Sequence, residues 1–362
     1  MFVRPASSSL HTLARLAFVI GAACSQLPAH SAPANPMMPV IRAAVQGDMQ
    51  SALKELRAID PAGLSEHARS IRQCMIDRFT TDKPIPGGDA LPAPAPVILE
   101  AFRRYWTGLM LRRTSTDDAE AQLLKTLKTI PGLESGADLH ATTDAVKTRL
   151  EALGVHAQTD VTAPYYELMI WRREDTQQYS VPLPEQTVQV TVVFMDDFVV
   201  RGWLGYATCD VAGAGGWATT DRLYAVAGAY DRNSENFRFS YLGHEGQHFA
   251  DYASYPKLEQ PELEYRAKLV ELAQSDTITR TLLLAFEGTA ARGRSVPHAH
   301  AQYWLVKRMR ERLIPDAKAG DADAWQAVDD AAIRKTAREL LLESSAELRR
   351  MGAKTVTRSL DD

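Results

Sequence analysis

The sequence predicts an α+β fold that is mainly helical, and three observations predict it. Apolar residues recur at helical spacing from Pro39 to Leu153, alternate over short runs between Tyr166 and Tyr230, and return to helical spacing from Phe237 to Met351. The first and last patterns mark amphipathic helices and the middle one half-buried strands. The chain therefore divides into a helical module over 36–160 and a mixed domain over 161–362, after an N-terminal leader.

A length of 362 residues suits one large domain or two ordinary ones. Hydrophobic content of 45% and charged content of 24% are those of a soluble globular chain. A formal charge of −4 gives no reason to expect a nucleic-acid partner. Beyond the leader no run of apolar residues is long enough to span a membrane.

The leader has the features of a secretory signal peptide over 1–32. Met1–Arg15 carries Arg4 and Arg15 and no acid, Leu16–Ala23 is a short apolar core, and Leu27–Ala32 supplies small residues for cleavage. Gly21–Cys24 also resembles a bacterial lipobox, in which Cys24 would carry the lipid anchor, with Gly21 where that motif usually has leucine. The expectation is an exported protein, periplasmic or secreted, with a lipoprotein signal ending before Cys24 as the alternative. Cys74 and Cys209 remain in the mature chain. An oxidising compartment would let them pair, but the geometry that decides it is not legible in sequence.

After a proline-containing linker over 33–40, the pattern from Pro39 to Phe79 gives two helices with a turn at Asp60–Gly63. Residues 80–96, rich in Pro and Gly, read as an exposed loop. Val97–Arg113 is a strongly amphipathic helix, and helices continue over Asp117–Ile130 and Thr142–Leu153. His67 and His140 stand alone, without metal-ligand spacing. The module reads as a packing scaffold, with substrate recognition or an inhibitory pro-segment as functional alternatives.

Four strands are expected: Tyr166–Trp171, Thr187–Phe194, Arg201–Cys209 and Leu223–Tyr230. Gly213–Gly216 reads as a flexible turn; it lacks the Lys-Ser/Thr and helix start of a phosphate loop. Beyond them come the helix around Phe237–Tyr252, a second over Pro261–Leu272 with proline in its first turn, and helices at Thr277–Phe286, Tyr303–Leu313 and Trp325–Met351.

The chemistry concentrates at His244, Glu245 and His248, the H-E-x-x-H pattern. On a helix, residues four apart lie on one face with about 6 Å between Cβ atoms. Two neutral imidazoles at that spacing can hold one Zn²⁺, while Glu245, rotated by about 100°, flanks the ion and can move a proton. Phe249 and Tyr252 continue the apolar face through the histidines. A helix with two spare histidines is the bland alternative. Glu262 and Glu264 on the next helix offer a third ligand, which would leave the fourth position to water. Asp251 either orients a ligand imidazole or sits solvated at the helix end.

With these residues in place the segment over 185–305 resembles the gluzincin zinc metallopeptidases, whose third ligand is a glutamate on the helix after the motif helix. One branch writes that helix E-x-x-A-D; Glu264 and Ala267 match, whereas Lys268 stands where the branch has an acid. The resemblance implies His244, His248 and Glu264 as zinc ligands, Glu262 in reserve, and Glu245 as general base. It also implies a zincin-like domain, a small twisted sheet over the motif helix, whose edge segment Gly215–Tyr230 would pair with an extended peptide.

Four of the nine histidines fall between His244 and His300. Ser295 and Pro297 look like a helix start, which puts His298 on a first turn. His298 is the candidate for stabilising an oxyanion, with His300, Tyr303 and Arg294 behind it. The function expected is hydrolysis of a peptide or protein substrate. A non-catalytic binding or scaffold protein with a structural or vestigial zinc site is the alternative, and a non-peptide amide substrate a third possibility.

Overall fold

The computed structural model describes residues 35–81, 88, 90–134, 136–317, 321 and 323–361. The leader over 1–32, with Cys24, lies outside the described residues. Among them the fold is α+β and mainly helical, with one five-stranded sheet.

The N-terminal helices are α1 (Met38–Ala44), α2 (Met49–Ala58), α3 (Glu66–Thr80), α4 (Ala95–Met110), α5 (Thr116–Leu127) and α6 (Leu139–Ala152). Asp48, Ser65, Ser115 and Asp138 cap α2, α3, α5 and α6, each accepting a hydrogen bond from a backbone N–H of the first turn. Ile98, Phe102, Tyr105, Trp106, Leu109 and Met110 bury the expected face of α4.

The sheet comprises β1 (His156–Thr162), β2 (Tyr165–Pro182), β3 (Thr187–Arg201), β4 (Gly216–Ala218) and β5 (Leu223–Val226). Their order is β1-β2-β3-β5-β4, with β3 and β5 parallel and the other pairs antiparallel. β1 was not expected, nor was β4, whose Gly216 read as part of a flexible turn, and β2 runs eleven residues beyond Trp171 because polar residues there pair on an exposed part of the hairpin with β3.

The expected strand Arg201–Cys209 is instead a helix, α7 (Gly202–Thr208). All seven of its residues are buried, so its apolar run has no period from which to tell helix from strand. Gly202 makes the turn at φ 73°, and a Cβ there would lie 2.3 Å from Glu167 Oε1. That carboxylate accepts from the Trp203 N–H at 2.8 Å, and burial pushes its pKa up to about 7. The strand expected to reach Tyr230 ends at Val226, in a short 3₁₀ turn.

The remaining elements are a π-helical stretch Asn236–Gly243, then α8 (His244–Ser254), α9 (Gln260–Gln274), α10 (Thr279–Thr289), α11 (Pro297–Leu313) and α12 (Asp330–Gly352). One apolar core joins α1–α6 to α7 and to Leu168 and Ile170 of β2. A second joins the far half of the β2–β3 hairpin to α8–α12. Cys74 and Cys209 form a disulfide that ties α3 to the end of α7. Among the described residues no helix is long and apolar enough to cross a membrane.

Candidate metal centre

The π-helical stretch feeds into α8, which lies against the sheet. Gly246 permits the approach: a Cβ there would stand 3.1 Å from Val181 Cγ1. The opposite face of α8 carries His244 and His248 toward α9, and both imidazoles are completely buried.

His248 Nε2 lies 3.0 Å from His244 Nε2. Glu264, from α9, brings Oε2 to 3.5 Å from His244 Nε2 and Oε1 to 3.4 Å from His248 Nε2. Three donors each about 2.0–2.1 Å from a tetrahedral ion stand about 3.4 Å apart, so the spacing suits such an ion. These three residues, each offering one atom within 4.8 Å of the others, form a buried group that could hold a metal ion. Among the described residues several of the surrounding polar atoms lack hydrogen-bond partners, including His248 Nδ1 and both Glu245 oxygens. A buried orphan polar atom is costly, and a nearby cation would offset that cost.

Burial would raise the Glu264 carboxyl, but the charge of His298 and the imidazoles of His244 and His248 hold it well below the usual range. Burial would likewise lower His244, but hydrogen bonds and charge from Glu264 and Glu271 carry it to about 10. Burial lowers His248. Glu245 sits on the flank of the group, and burial pushes it up to about 8. The rings of Tyr230 and Tyr241 pack at a tilt with centroids 5.0 Å apart, and among the described residues their buried hydroxyls have no hydrogen-bond partner. Burial and then the Glu245 charge raise both.

Glu262 is engaged elsewhere: Arg294 Nη2 donates to both its oxygens at 2.9 Å, and the Ser359 and Leu360 N–H groups donate to Oε1. The two-residue step from Glu264 turns it about 200° around α9. His298, on the first turn of α11, places Nδ1 2.7 Å from Glu264 Oε2 and is 26% exposed. His300 turns Nδ1 to the Arg292 carbonyl at 2.7 Å. Tyr303 packs edge-on against Trp304. Of the four candidates on this segment, His298 is the one whose contacts reach the ligand group.

Asp251 corrects both expectations held for it. Neither solvated nor placed on an imidazole, it is buried and paired with Arg266, whose Nε and Nη2 donate at 2.8 and 3.0 Å. Arg266 also donates to Ser344 and Ser345, which ties α8, α9 and α12 together. The partner of the ligand imidazole is Glu271, whose Oε1 lies 2.7 Å from His244 Nδ1. Sequence reasoning missed it, although Glu271 follows Glu264 by seven residues, two turns along one face. β4 is the edge strand of the sheet and packs near α8, with all three of its residues buried.

No family model, characterised protein or solved structure matches this chain.

Proposed function

We propose that the protein is a zinc-dependent hydrolase of the gluzincin type, a metallopeptidase acting on a peptide or protein substrate after export. One observation carries the reading: a His-His-Glu donor set converges in the interior beside a glutamate whose oxygens have no partner. The nitrogen-rich set with one carboxylate suits zinc. His244, His248 and Glu264 would hold the ion, which when bound supplies Lewis acidity and an acidified water.

Within this reading Glu271 keeps a proton on His244 Nδ1 and leaves Nε2 to the ion. Glu245 takes a proton from the attacking water and passes it to the leaving amine. His298, partly exposed and in contact with Glu264, would donate to the developing oxyanion.

The complete burial of both histidines and Glu245 favours a second reading, a zinc site that organises structure in a binding protein. The two separate on activity. Zinc-loaded protein offered a broad peptide library should cleave it, and chelation should stop the cleavage. Glu245→Gln at full zinc occupancy tells an enzyme, which loses the cleavage, from a binder, which has none to lose.

A further inference from the structure

Lys268 puts an ammonium group in the interior, 6% exposed. It follows Glu264 by four residues and precedes Glu271 by three on α9, so acid, ammonium and acid succeed one another along one helical face. Its Nζ lies 3.9 Å from Glu264 Oε2 and 4.9 Å from the centre of the Phe286 ring on α10. A buried ammonium persists where an anion and an aromatic face hold it. At that distance from Glu264 it makes no hydrogen bond and acts through its charge.

We propose that Lys268 is a resident counter-cation for Glu264: it keeps the ligand carboxylate buried and in place while no metal is bound, and it makes a bound metal easier to release. The inference rests on the metal reading of the site. α9 turns two carboxylates, Glu264 and Glu271, toward the same imidazole of His244. The two buried acids flank that imidazole and repel, and a lysine between them along the helix relieves the repulsion when the dication is missing. The same positive charge opposes the dication when it arrives. At an effective dielectric of about 20, one unit charge a few ångströms away changes affinity by roughly tenfold or more. A neutral residue would give a tighter metal and a less stable empty site. Lys268 is thus a positioning residue that renders the metal exchangeable.

The test follows zinc release from wild type, Lys268→Met and Lys268→Arg into excess chromogenic chelator, together with melting of the metal-free chains. The Met variant should release zinc roughly tenfold or more slowly than wild type and melt lower when metal-free, while the Arg variant matches wild type on both. Release from the Met variant at the wild-type rate or faster overturns the proposal. A Met variant that folds only with zinc supports it and is scored by the same release rate. If the Met and Lys268→Gln variants both fail to fold even with zinc, the proposal also falls, because bound zinc should then replace the missing charge. A wild-type chain that binds no zinc ends the metal reading itself, an outcome distinct from a zinc-loaded wild type that the Met variant merely equals.

Discussion

Glu271 Oε1 lies 2.7 Å from His244 Nδ1, and this contact decides which ring nitrogen faces the ligand group. An acceptor on Nδ1 fixes the proton there and leaves Nε2 as the donor atom. Glu271→Gln should therefore lower zinc affinity by about 10–100-fold while leaving all three ligands in place. Competition against a chelator of known affinity measures it, and an unchanged affinity would show that the contact does not orient the imidazole.

The two candidate glutamates on α9 should part company on substitution. Glu264→Gln removes a donor and should lower zinc content severely. Glu262→Gln should keep zinc near one per chain and instead lower stability, because Arg294 loses a buried partner. Metal analysis and melting of both variants check this, and the reverse pattern would move the ligand two residues.

Much of the site was legible in the sequence because helical spacing fixes which side chains share a face. His244 and His248 needed one turn of helix, and Glu264 a second helix packed against the first. The rest depended on contacts that sequence does not index. Asp251 reads as a helix-end residue until Arg266 is seen beside it, and Glu262 resembles Glu264 until Arg294 takes it away. The fold was misread where burial is two-sided, as in α7, or where polar strands pair in the open, as in the far part of β2.

Metal uptake should expel protons. In the metal-free chain His244 titrates near 10, burial being outweighed by Glu264 and Glu271, and burial holds Glu245 near 8. At pH 7 His244 is protonated, and a proton must leave its ring for Nε2 to ligate. The logarithm of the zinc affinity should climb with pH at a slope approaching about one below pH 10. Folding of the metal-free chain follows the same sign: the stabilisation from His244 is full below 6.5 and is lost as pH rises through about 10. Chelator competition across pH 6–9 measures the slope, and a flat affinity contradicts the protonation states.

The disulfide should matter to stability more than to the metal. Cys74 and Cys209 are 135 residues apart in sequence, and closing so long a loop stabilises by about 5 kcal/mol in the chain-entropy account. Cys74→Ser should lower the denaturant midpoint markedly while zinc content stays at wild-type level. Loss of zinc from a still-folded variant would show that the N-terminal core reaches the metal site energetically.

The most direct measurement compares hydrolysis by wild type and Glu245→Gln at equal, full zinc occupancy. Glu245 flanks the ligand group, and its oxygens have no partner. A general base contributes typically 10²–10⁴-fold to rate. The account predicts that wild type cleaves members of a peptide library and that the variant keeps its zinc and its melting temperature while losing about that factor in rate. Equal rates for the two proteins, or no cleavage by zinc-loaded wild type, would contradict it.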